Sequence, residues 1–165
     1  MIHYHVSFEN PLTFYLQIQL TLTVPAEATE ALELQLPAWR PGRYELQNFA
    51  QKIQRVVIDD ADSGEVLSYR KLTKDRWQVA DAAGRTVRVR YNFYAHQMDA
   101  GGSWLDESQL YINGVQCFMY AEGRQQEPCE LTLELPESWQ IACGLPQKAP
   151  TCFRPTVLST SSNAR

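Results

Sequence analysis

Helical periodicity is almost missing from this sequence, and so is any catalytic signature written in consecutive residues. There is no HExxH, GxSxG, Walker A or GxGxxG pattern, which removes the chemistries that those spacings position. Histidine occurs three times, at His3, His5 and His96. No carboxylate or nucleophile can be named as a partner for His96, so it reads as a loop side chain and not as a general base. No run approaches the roughly 18 consecutive apolar residues of a membrane helix, and no membrane partner is expected. Basic residues are outnumbered, 15 against 19 acidic, for a net charge of -4. Nucleic acid needs a clustered basic surface, so it too is not expected as a partner. The start, Met1-Ile2-His3-Tyr4-His5-Val6, has no basic segment leading into an apolar stretch. A signal peptide is therefore not expected, and a cytoplasmic location is the expectation.

Metal-binding spacing is absent as well. Cys117, Cys129, Cys143 and Cys152 stand far apart, without a CxxC pair or a neighbouring histidine, which argues against a zinc site. In a reducing compartment they should be free thiols. His3 and His5 are two apart on a strand and share a face. Two imidazoles without a third ligand hold a metal poorly, so they read as edge-strand side chains. No catalytic residue, metal ligand or cofactor is assigned to the chain.

What is present is period-two alternation. The 165 residues, 44% hydrophobic and 21% charged, suit one domain that buries about two-thirds of its unfolded surface. From Leu12 to Val24 one face reads Leu12, Phe14, Leu16, Ile18, Leu20, Leu22, Val24 and the other is polar, a long half-buried strand ended by Pro25. The pattern returns at Leu32-Leu34-Leu36, at Val87-Val89-Tyr91-Phe93 and at Leu131-Leu133-Leu135. Turn chemistry separates the runs: Glu9-Asn10-Pro11, Arg40-Pro41-Gly42, Asp62-Ser63-Gly64, Ala83-Gly84, Asp99 to Gly102, and Asn113-Gly114, the last a type I′ hairpin signal. Asn48 to Gln54 reads as a turn or two of helix, or in its later part as a strand into Val56-Val57-Ile58. The fold expected is all-β: an antiparallel sandwich of about ten short strands with little or no helix. Residues 1–145 form the domain, with a strand up to Gly144. Residues 146–165, with Pro146, Pro150 and Pro155, read as an irregular tail that frays.

Aromatic residues offer a second reading. Trp39, Tyr44, Trp77, Tyr91, Tyr94, Trp104 and Tyr111 could stack on sugars or peptides, although most should fill the sandwich and its rim. Pro41-Gly42 suits a type II turn, with Trp39 covering the corner and Tyr44 opening the next strand.

An ordered set of segments resembles the N-terminal domain of the glycyl aminopeptidase family of zinc metallopeptidases. The set begins with Tyr4-His5-Val6-Ser7 and the distinctive Leu36-Pro37-Ala38-Trp39-Arg40-Pro41-Gly42-Arg43-Tyr44, then Asn48-Phe49-Ala50 and Lys74-Asp75-Arg76-Trp77. It continues with Val87 to Ala95, Trp104-Leu105-Asp106, Tyr111-Ile112-Asn113-Gly114 and Leu135-Pro136-Glu137-Ser138-Trp139. The resemblance covers nearly everything from Tyr4 to about Leu145. It implies a β domain followed, in full-length relatives, by a thermolysin-like (gluzincin) zinc domain and a PDZ domain. Those relatives remove N-terminal residues, preferentially glycine, with zinc held by HExxH and a downstream glutamate. None of those ligand positions exists in this chain, so the resemblance implies no catalysis here. It implies a scaffold or cleft wall, with the zinc domain and the PDZ domain as partners and peptide substrate met only in that context. The candidate cleft or domain-interface residues are Trp39, Arg43, Tyr44, Trp104, Tyr111, Asn113 and Gly114. The lone domain should expose an apolar patch and self-associate.

The tail departs from the family, whose members continue with a segment like ADSFDEL. One allowed coding of Phe153 to Ala164, read from the third base of each codon, spells QADSSFDELER. The expectation is a single frameshift near Gly144 to Gln147. Sequencing the gene tests it, since the shifted register should continue into a frame encoding HExxH. A free-standing carbohydrate- or peptide-binding module remains the alternative, and a small structural or assembly domain a third reading. A glycan or peptide binding screen separates the last two.

Overall fold

The computed structural model describes residues 1–40, 42, 45–99 and 101–153. In chain order the strands are β1 (Ile2–Ser7), β2 (Tyr15–Thr23), β3 (Leu32–Gln35), β4 (Ile53–Asp60), β5 (Tyr69–Thr73), β6 (Arg76–Val79), β7 (Thr86–Tyr94), β8 (Trp104–Leu105) and β9 (Leu110–Tyr111). A four-residue helix α1 (Gly114–Cys117) comes next, then β10 (Tyr120–Ala121), β11 (Cys129–Leu133), β12 (Gln147–Ala149) and β13 (Cys152–Phe153). Seven strands make one sheet in the order β12-β13-β11-β1-β2-β7-β4, and β10-β3-β6-β5 make the second, with β8-β9 a separate ribbon. The all-β expectation holds. The described strands number more than ten, and β1 pairs with β11 in parallel, so the sandwich is not wholly antiparallel.

The centre of the large sheet is where alternation is cleanest. All nine residues of β2 pair with β7, from Tyr15 opposite Tyr94 to Thr23 opposite Thr86. Leu16, Ile18, Leu20 and Leu22 point inward and are essentially inaccessible. Burying side chains of this size contributes about 1.5–3 kcal/mol each before entropy is set against it. Trp77, Val79 and Leu34 of the smaller sheet complete the core. On the polar face the buried carboxylate of Asp59 accepts from Arg88 Nε at 2.7 Å and from Arg90, which offsets the cost of removing its charge from water.

Several local expectations are corrected. The strand expected from Leu12 starts at Tyr15. Pro11–Thr13 form a 3-10 turn, with Asn10 Oδ1 accepting from the Leu12 amide at 2.9 Å, and Phe14 takes a left-handed φ of 61°. An Asn cap with proline after it outbids the alternation there, and Leu12 is 59% exposed. Asn48 to Gln54 divides between a 3-10 turn, Phe49–Lys52, and β4. Leu135 lies beyond the end of β11, and no strand runs to Gly144. Part of the expected fraying tail is instead a pair of strands: Cys152 and Phe153 pair with Thr132 and Leu131, and Phe153 is 2% exposed. Tail residues 154–165 lie outside the described residues.

The histidines are not on an edge. β1 lies between β11 and β2, and the two rings share the polar face as expected. His3 Nδ1 stands 3.6 Å from Glu130 and His5 Nε2 3.2 Å from Glu134, while Lys148 Nζ reaches Glu130 at 2.8 Å. None of the four cysteines is in a disulfide. No helix among the described residues is long and apolar enough to cross a membrane.

Candidate functional site

The site is a groove along one end of the sandwich, and its first wall is built by a carboxylate. Asp106 Oδ1 accepts from the Ser108 and Gln109 amides at 2.7 and 2.9 Å, and Oδ2 accepts from Trp104 Nε1 at 2.7 Å. The Trp104 hydrogen bond, and after it those from Ser108 and Gln109, hold this carboxyl well below the usual carboxylate range. These bonds close the β8–β9 ribbon, in which Trp104 is opposite Tyr111 and Leu105 opposite Leu110.

Asn113 then ties the ribbon's exit to the preceding loop. Its amide donates to Ser103 Oγ at 3.1 Å, its Nδ2 donates to the Gly101 carbonyl at 3.4 Å, and its carbonyl accepts from Gln116 at 3.0 Å. The type I′ turn expected at Asn113-Gly114 is absent. Asn113 has φ -98° and begins α1, because loop and helix together satisfy more of its polar groups than a two-residue turn would. Gly101 and Gly102 permit this approach. A β-carbon on Gly101 would overlap the Arg40 guanidinium, and one on Gly102 would overlap the Gln97 carbonyl.

Two buried phenols anchor the chain from α1 into β10. Tyr91 Oη donates to the Cys117 carbonyl at 2.7 Å and accepts from the Met119 amide at 3.1 Å, while Tyr4 Oη donates to the Met119 carbonyl at 2.8 Å. Burial raises the pKa of both phenols and of the Cys117 thiol far above their ordinary values, so all three stay neutral in the working range.

The groove encloses about 620 Å³, within the range of ligand clefts. It is lined by Leu131 and Leu133 with Tyr4 and Pro37, by Ser108 to Val115 with Phe118 and Tyr120, and by Leu135, Ser138 to Cys143 and Leu145. Trp139 leans on Phe8 at 5.6 Å between ring centroids. Of the seven residues expected from sequence, the structure brings Tyr111, Asn113 and Gly114 together in this groove. Tyr111 is 51% exposed, whereas the amide of Asn113 is turned into the protein. Trp104 does not line it: its ring stacks on His96 at 4.6 Å, and His96 stacks on Phe14 at 3.9 Å. Trp39 is exposed outside the groove. Arg43 and Tyr44 lie outside the described residues, while Gly42 has the positive φ of 84° that a type II turn requires.

Of the aromatic residues expected to stack on a ligand, Trp77 and Tyr91 are core, while Tyr94 and Trp104 pack in a ring cluster with Phe14, Tyr15 and His96. Trp139, Ile141 and Leu145 were missed as groove residues, although their even spacing was visible. Among the described residues no three His, Cys, Asp or Glu side chains gather as a metal's ligands would. The described residues therefore offer no donor set that fits the zinc of the resembled family.

Residues 3–160 match the family model of the Peptidase M61 N-terminal domain. The chain belongs to that family. This M61 N-terminal domain is also similar to the crystal structure of an aminopeptidase N family protein from Idiomarina loihiensis, at 28% identity and a TM-score of 0.86 over 95% of the chain. It spans 27% of that protein's length. An M1 zinc metallopeptidase from Deinococcus radiodurans matches at 17% identity and a TM-score of 0.42, over 80% of this chain and 30% of that one. No curated protein matches.

Proposed function

We propose that this M61 N-terminal domain is the non-catalytic part of a glycyl-aminopeptidase-like zinc peptidase, packing on a downstream zinc domain and helping to shape its substrate cleft. The observation that carries this reading is the groove of about 620 Å³, lined by Leu131, Leu133 and the Tyr111–Gly114 segment, one of those that carry the family resemblance. The wall is also rigid, because Asp106, Asn113, Tyr4 and Tyr91 fix its backbone. Contacts that shape a cleft need that rigidity.

Purified chain should hydrolyse no glycyl substrate with or without added zinc, since no three ligands among the described residues are there to hold the metal and activate its water. Zinc-dependent turnover by the pure chain would overturn the reading. In a longer protein carrying the zinc domain, Tyr111→Ala should raise the Michaelis constant without unfolding the protein, and unchanged kinetics would remove Tyr111 from the cleft.

A further inference from the structure

Residues 139–145 carry the pattern of a strand with no partner strand among the described residues. Trp139, Ile141 and Leu145 are half-buried against the core, while Gln140, Ala142 and Gly144 between them are exposed; the exposed Cys143 is the one break. That is close to the period-two division of a half-buried strand. Yet no backbone hydrogen bond joins 140–146 to any described residue. β9, which lines the same groove, belongs to a two-stranded ribbon and has no described strand on its outer side. Ile112, next in the chain, also lacks a backbone partner among the described residues. Two segments whose main-chain groups have no backbone partner among the described residues thus line one groove together with Leu131 and Leu133. Buried main-chain groups are almost always paired, so any occupant that covers this groove must itself supply donors and acceptors.

We infer that the groove is a strand-addition site, filled by an extended, alternately apolar segment of the domain that lies downstream in the longer peptidase. The source rests on the proposed function. The chain spans 27% of the similar Idiomarina protein, and a covalently attached downstream domain is held at a high effective concentration beside the groove. An extended segment fits where a helix does not: it offers main-chain groups to both segments and alternate side chains to the groove, whereas a helix satisfies its own backbone.

The test uses the 165-residue chain and a blocked hexapeptide of alternating Val and Thr, with the same peptide N-methylated at alternate amides as its control. Amide hydrogen exchange of 140–145 and Ile112 should slow when the plain peptide binds, and the N-methylated peptide should bind at least about tenfold more weakly. Equal binding of the two would show an apolar pocket only, and no binding of either would dismiss strand addition; both outcomes overturn the inference. A dimer of the chain that the peptide dissociates would assign the groove to a second copy, which also overturns it. The full-length Idiomarina protein, offered the same peptide, should not bind it, because its own downstream domain fills the groove; binding there would overturn the source. Hydrolysis of a glycyl substrate by the 165-residue chain would instead sink the proposed function, leaving the exchange result as it stands.

Discussion

Tyr15–Thr23 and Trp139–Leu145 carry similar two-residue alternation, and only the first is a strand. β2 has β1 on one side and β7 on the other, so its main-chain groups find partners while four aliphatic side chains enter the core. The second run keeps its apolar side chains toward the core but has no described strand beside it. Alternation therefore states which side chains will be buried. It does not state that a neighbour exists to complete the ladder.

The widest separation between the two regions is in stability. Leu20→Ala in β2 should cost about 2–5 kcal/mol by urea denaturation, because closed sheets on both sides leave a cavity that cannot collapse. Ile141→Ala should cost well under half of that, since its site is already open to the groove. Equal losses would erase the distinction. Next come the contacts that join the rigid wall to the core. Gly102→Ala should cost about 1–3 kcal/mol by forcing the Gln97 carbonyl away. Tyr91→Phe should cost about as much, by leaving the Cys117 carbonyl and the Met119 amide unpaired.

A subtler effect is pH-dependent. The Asp106 carboxyl is held below its ordinary value by the groups it accepts from. Its contribution is therefore complete above about pH 3.9, the unfolded value, and is lost as pH falls toward the folded one. Asp106→Asn should lower the urea midpoint at pH 7, and the gap from the parent should narrow as pH drops below about 4. A gap that widens in acid would show that the carboxylate does not hold the ribbon. The smallest effect belongs to Tyr111→Ala, within about 0.5 kcal/mol, as befits a ring half exposed on the groove wall.

Much of the molecule was legible in the residues. The inward faces of β2, β3, β7 and β11 came from alternation, and the close approach at Gly101-Gly102 came from the missing side chains. The family came from an ordered set of segments. Asn10-Pro11 was recognised as a turn, but how far it reached into the next run depended on a cap whose strength no periodicity displays. Asn113-Gly114 carried a hairpin signal that was overruled by Ser103, Gly101 and Gln116, residues brought to it only by folding.

By itself the sequence determined the class of fold, because side-chain period is local and apolar surface must be buried wherever it falls. It also determined which residues could turn, through the restricted φ of proline and the freedom of glycine. Tertiary structure alone decided that β1 is interior and pairs with β11 in parallel, that Phe153 reaches the core, and that Tyr111 and Trp139 line one groove. Those facts depend on hydrogen-bond partners far apart along the chain, as for Tyr4 and Met119, separated by 115 residues. No local pattern encodes the identity of such a partner, since many pairings satisfy the same alternation and only the packed whole selects among them.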